Sequence, residues 1–147
     1  MFCQSTMNPT SIPRSAFDQT GGLFYFARML DKIRLHAQGT LRADFHGNLG
    51  KFGDEWCAGF LRVDYAAIRE RTLDGGSDDE ILEWCYEHGR RLNGLDIFIW
   101  NQFTSKLGWN DKAAAQLALL KQQSGLADRD DIQTMAQFFE VDEGRKP

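Results

Sequence analysis

Four charged residues in one stretch of the sequence, Arg28, Asp31, Lys32 and Arg34, have the types and spacing to hold an anion or orient a carboxylate. Arg28, Asp31 and Arg34 follow one another at i, i+3 steps on a predicted helix. If they line a cavity they form a ligand site. If they do not, they form a ladder of surface ion pairs, each worth about 0.2–0.5 kcal/mol. His46 lies in a glycine-rich segment just beyond and supplies an acid/base group to the same region. Cys85 and His88, three apart, invite a nucleophile–base reading. Cys85 shares its predicted apolar face with Ile81, however, so a buried, inert thiol is the better expectation. Trp56, Trp84, Trp100 and Trp109 can wall an aromatic pocket or form a contact patch, although tryptophan on an amphipathic helix more often packs in a core.

Other chemistries find little support in the spacing. His36, His46, His88, Cys57 and Cys85 contain no HExxH, ExxH or CxxC pattern, so no metal is expected. The segment GNLGKFG (47–53) follows no predicted strand and lacks the GK[ST] ending of a phosphate loop; it reads as a turn-rich surface loop or a binding edge. No motif implies a cofactor. The acidic run Asp128–Asp131 lacks the glycine and distal glutamate of a calcium loop and is expected to cap a helix.

The elements that must position these residues are helical. Apolar residues at Leu23, Phe26, Ala27, Leu30, Ile33 and Ala37 predict a helix over 23–37 that stops at Gly39. A long loop, LRADFHGNLGKFG, follows. A short helix is expected over 54–61, and a second over 65–73 with Asp64 as N-cap and the DGG at 74–76 as terminator. Ser77 and Glu80 form an S-x-x-E capping box opening a helix to His88. Leu95, Ile99, Phe103 and Leu107 mark a further helix, although Ile97 and Ile99 also alternate as in a short strand. Residues 111–124 and a segment after Asp128 bearing Ile132, Met135, Ala136 and Phe139 complete the set. The fold class expected is all-α, a single compact domain of about six helices, bundle or orthogonal array, over 16–147, after a flexible lead-in over 1–15.

Ordered together, PRSAFDQTGGLFYFARMLDKIR (13–34), the loop glycines, GGSDDEILEWC (75–85), Trp100 with SKLGW (105–109), and DRDDIQT with VDEGR (128–145) resemble a bacterial family of unknown function, DUF5069. The resemblance covers nearly the whole chain after Pro13. It implies a small bacterial cytosolic protein and no particular activity. The stretch RRLNGLDIF (90–98) departs from the more acidic approach to Trp100 that the resemblance leads one to expect.

Composition narrows the function further. The 147 residues are 42% hydrophobic, with eleven Phe, four Trp and three Tyr, enough to build a core without disulfide or metal. The net charge of -4, with both signs interspersed, leaves no basic footprint for nucleic acid. A helix-turn-helix over Ser77–Trp100 is disfavoured because its second helix offers Asp96, Phe98, Ile99 and Trp100 to the base edges. No apolar run approaches the roughly 18 residues of a membrane span. An odd number of scattered cysteines and no signal-like start suggest a reducing, cytoplasmic setting. The expectation is a non-catalytic binding or protein-interaction module, its partner a small ligand or a protein, with a homo-oligomer among the options. The alternative is a small-metabolite enzyme whose site lies between the first helix and the glycine-rich loop. An enzyme should bury Arg28, Asp31, Lys32 and His46 around a concave pocket, whereas an interaction module should expose an apolar patch of several hundred Å².

Overall fold

The computed structural model describes residues 11–147 and is mostly helical. Among these residues there are seven α-helices and one 3-10 helix, Ala43–Asn48, rather than about six helices, together with a two-stranded hairpin. Of the lead-in expected over 1–15, residues 1–10 lie outside the described residues. Ser11 pairs with Leu41 in a parallel bridge, and Pro13 and Ser15 are buried.

The hairpin is the main departure from the expected order. β1 (Gln19–Thr20) and β2 (Leu23–Phe24) are antiparallel, joined by Gly21 and Gly22 at φ 56° and 83°. Two successive residues at positive φ make the tight hairpin turn whose twist matches its strands, and glycine adopts it without a Cβ penalty. Leu23 fits a helical spacing with Phe26, yet the Gly-Gly turn commits it to a strand that is buried in the core. The first helix, α1 (Phe26–Ala37), therefore starts three residues later than expected.

The next two helices keep close to their expected limits: α2 (Gly53–Leu61) and α3 (Tyr65–Leu73). Asp64 holds the N-cap position of α3, but its side chain makes no cap hydrogen bond. α4 (Asp78–His88) opens with the complete capping box, Ser77 accepting from the Glu80 amide and Glu80 accepting from the Ser77 amide. α5 (Gly94–Lys106) is helix, not strand, and the atypical stretch before Trp100 contains its cap, a reciprocal Asn93–Asp96 box. α6 (Ala114–Gln123) begins after Asp111, whose carboxylate accepts from the Gly108 and Ala113 amides.

α7 (Met135–Asp142) is capped by Thr134 and Gln137, which corrects the expectation that Asp128 caps the last helix. Asp131 instead pairs with Arg129, and Ile132 is buried. The reason is that Ile132, with Leu117 and Phe138, builds a small second core that a helix running from 128 would not form. The main core gathers Leu23, Phe26, Leu30, Leu61, Ile68, Ile81 and Trp100 from the hairpin and α1–α5, and Phe139 of α7 packs against both cores.

Candidate functional site

The charged row on α1 does not act as one unit. A helix advances about 100° per residue, so each i+3 step falls back about 60°, and Arg34 lies about 120° around the helix from Arg28. Arg28 and Lys32, four apart, share the inward face with the N-cap residue Tyr25. Asp31 and Arg34 share the outer one.

On the inward side there are two buried ion pairs. Arg28, 2% exposed, donates through both terminal nitrogens to Glu143, at 2.9 and 2.6 Å, and through Nη1 to the Arg14 carbonyl at 3.1 Å. Its guanidinium lies 4.4 Å from the centre of the Phe139 ring. Burial alone disfavours the cation, but the hydrogen bonds and charge of Glu143 outweigh it and raise the pKa above the ordinary arginine value. Glu143 also accepts from Arg145 at 2.7 Å, so this carboxylate is shared between two cations.

Lys32 Nζ lies 2.8 Å from the fully buried Asp54 of α2. Asp54 also accepts from the Tyr25 hydroxyl at 2.7 Å and from the Gly50 amide at 3.0 Å. Burial lowers the Lys32 pKa despite Asp54, and burial followed by the Asp54 charge raises that of Tyr25. Two local features bring these groups together. Tyr25 stands at φ 76°, a left-handed conformation, at the start of α1. Gly53 opens α2 where a Cβ would sit 2.6 Å from the Tyr25 hydroxyl. Tyr25, Asp54 and Glu143 were not among the residues that sequence reasoning singled out. The only sequence signal is the placing of polar tips at 25, 28 and 32, an i, i+3, i+7 row within an otherwise apolar face.

On the outer side, Asp31 and Asp78 are each shared by Arg14 and Arg34, with Arg34 Nη1 2.7 Å from Asp78 and 3.7 Å from Asp31. This four-member ring ties α1 to the first turn of α4 and to the segment before the hairpin. Desolvation raises the Asp78 pKa, but hydrogen bonds from Arg14 and Arg34 dominate and hold it below the ordinary carboxylate value.

The other sequence-selected residues are dispersed. His46 is exposed, its Nε2 2.9 Å from the Leu41 carbonyl and its ring edge-on to His36. Trp84 is half-buried and stacks on His88 at 4.2 Å, while His88 Nδ1 lies 2.9 Å from the Trp84 carbonyl. His88 thus engages Trp84 rather than Cys85. Cys57 and Cys85 are free and buried; burial raises both thiol pKa values, that of Cys85 to about 12. Trp109 is exposed beside an open trough of about 290 Å³ against α6. Trp100 is buried, stacked on Phe60, with Nε1 donating to the Phe24 carbonyl at 2.9 Å.

One crevice reaches the centre. Tyr25, Trp56, Trp100, Phe103, Thr104 and Phe139 contribute to its lining, which is apolar, and its volume is about 30 Å³, far below the roughly 300–1,000 Å³ of a small-molecule pocket. Neither Arg28, Lys32 nor His46 lines it. Among the described residues no group of three or more His, Cys, Asp or Glu could hold a metal ion, and no helix is long and apolar enough to cross a membrane.

The outer side of α5 is the reverse of what its apolar spacing implies. Trp100 and Thr104 are buried, and Asn101 exchanges hydrogen bonds with the hairpin at Phe24 and Gly22, fixing that side inward. Leu95, Phe98, Ile99 and Phe103 consequently face outward. Trp56 of α2 meets Phe103 edge-on with ring centres 6.0 Å apart, which extends the patch across two helices.

Fold and site together define a small, mostly helical protein with a closed, ion-paired centre and an apolar outer helix face. The chain belongs to the family described as Domain of unknown function (DUF5069), whose model matches residues 10–145. Comparison with curated proteins gives no match.

Proposed function

We propose that the protein is a non-catalytic interaction module of the bacterial cytoplasm that binds another protein through the outward face of α5. The observation that carries this reading is the patch of Leu95, Phe98, Ile99 and Phe103 with Trp56, each between 39% and 65% exposed. Taking about 150–250 Å² for a large apolar side chain, the patch presents roughly 500 Å², at the upper end of what monomers display without a partner. The buried free thiols suit a reducing compartment.

The enzyme alternative has less behind it. Arg28 and Lys32 have their charges met by Glu143 and Asp54, His46 lies on the surface, and the crevice beside Tyr25 is about 30 Å³. A photo-crosslinking amino acid in place of Phe98, in cells, tests the interaction reading, with exposed Asp79 as control. A discrete adduct from position 98 and none from position 79 is expected. No adduct from position 98 overturns the reading.

A further inference from the structure

We infer that the partner of the α5 face is a second copy of this chain, bound as an antiparallel helix pair about a two-fold axis at Ile99. This inference rests on the interaction reading above and names its partner.

Two of the outward apolar residues of α5 are placed symmetrically about Ile99. Leu95 and Phe103 lie one turn to either side of it, so a two-fold axis through Ile99 sets Leu95 of one copy against Phe103 of the other, as an isologous interface requires. Charge does not oppose this. The acid in the first turn of α5, Asp96, is turned to Arg90 at 3.4 Å, and Lys106, at the far end of the helix, donates to Gln102 at 2.6 Å. Between Leu95 and Phe103 the outward residues are Phe98, Ile99 and the neutral Gln102, so this stretch of α5 brings no charge of its own to the contact. Antiparallel pairing also sets the helix dipoles in opposition.

Area and shape favour the same occupant. Two copies remove about 1,000 Å² of apolar surface in total, the lower limit for a specific interface, before the polar rim is added. An extended peptide or a single anchoring side chain needs a groove or socket. Here the surface is the convex side of a helix, and the adjoining crevice holds only about 30 Å³. A convex apolar ridge on a 13-residue helix is matched by another helix ridge, with side chains interleaved.

Sedimentation velocity on the full chain tests this between roughly 1 µM and 1 mM, because a small interface falls at or above the micromolar end of the affinity range. The mass should rise from 16.8 kDa toward twice that value. Phe98→Glu should hold it at 16.8 kDa throughout and, at concentrations where the wild type is monomeric, should match its melting temperature, because Phe98 is 59% exposed and its replacement leaves the core intact. In a Cys3→Ser background, Ile99→Cys should link two chains under a mild oxidant and Asp79→Cys should not.

A wild-type mass fixed at 16.8 kDa overturns the inference, as does a dimer that survives Phe98→Glu or one that Ile99→Cys fails to link. The crosslink from position 98 separates the two levels. An adduct whose mass is not twice the chain, alongside a monomer in sedimentation, leaves the interaction module standing and removes self-pairing; no adduct and no dimer removes both.

Discussion

Replacing Glu143 by Gln should be among the most damaging single changes available in this protein, and the structure says how damaging. The Arg28 and Glu143 side chains are 2% and 0% exposed, so solvent offers the remaining guanidinium no compensation. Gln keeps one oxygen to accept a hydrogen bond but turns an NH2 group toward the cation. Uncompensating a buried charge costs about 3–5 kcal/mol. For a chain near 150 residues each kcal/mol moves the melting temperature by about 2–4 °C, giving a fall of roughly 6–20 °C. The reverse single change is milder. Arg28→Met leaves Glu143 with Arg145 at 2.7 Å, so the carboxylate stays paired. The double variant Arg28→Met with Glu143→Leu puts apolar side chains beside Phe139 and Phe45 and should recover most of the loss, since apolar replacements of buried pairs are often neutral. Circular-dichroism melts of the four proteins, at the lowest workable concentration to keep any self-association out of the comparison, decide it. A fall under about 3 °C for Glu143→Gln, or a double variant no more stable than that single, refutes the reasoning.

Three further outcomes are expected. Gly89→Ala should lower stability by about 1–3 kcal/mol or more in chemical denaturation, because its Cβ would meet the Leu61 carbonyl oxygen at 2.0 Å; an unchanged midpoint would show that the α2–α4 approach is looser than described. Asp78 has a pKa held below its ordinary 3.8, so the stability it confers is fully present above that value and lost as pH falls through the lower folded value. The melting-temperature gap between wild type and Asp78→Asn should therefore be widest above about pH 4 and close on acidification; a gap that widens at low pH contradicts the ring of Arg14, Asp31, Arg34 and Asp78. Iodoacetamide at neutral pH should leave Cys57 and Cys85 unmodified until denaturant is added, as read by peptide mass spectrometry; fast native labelling of Cys85 would revive a nucleophilic role.

How much of this was legible in the sequence depends on the reach of each interaction. Ser77 and Glu80 sit three apart and announce α4 by a local rule, and Asn93–Asp96 and Thr134–Gln137 obey the same rule with other residue types. Asp128 satisfies the composition of a cap, but Ile132 is claimed by a contact with Leu117 that no local pattern reveals. Leu23 shows the limit from the other side. It matches the helical period of Phe26 and Leu30, and two glycines before it override that period. The α1 charges were visible as types and spacing, but their partners were not. Asp54 lies on another helix and Glu143 is 115 residues away, and such pairings leave no periodicity. The spacing that identifies α5 as a helix ordinarily marks the core side. Here Trp100 and Asn101, tied by hydrogen bonds to the hairpin, turn that stripe to the outside.

The distance along the chain between Arg28 and Glu143 bears on when the protein can finish folding. At about 5–20 residues per second a ribosome makes Glu143 some 6–23 s after Arg28, given their separation of 115 positions. Throughout that interval α1 carries a guanidinium with no carboxylate to enter the core with; Phe45, on one side of it, is made 17 residues after Arg28, and Phe139, on the other, only four before Glu143. Nascent chains should therefore hold α1 open, with its apolar face available to chaperones, and close only as the segment bearing Glu143 emerges. By the same argument a product cut short before Glu143 should lack the carboxylate that lets Arg28 be buried and should leave α1 open to proteases.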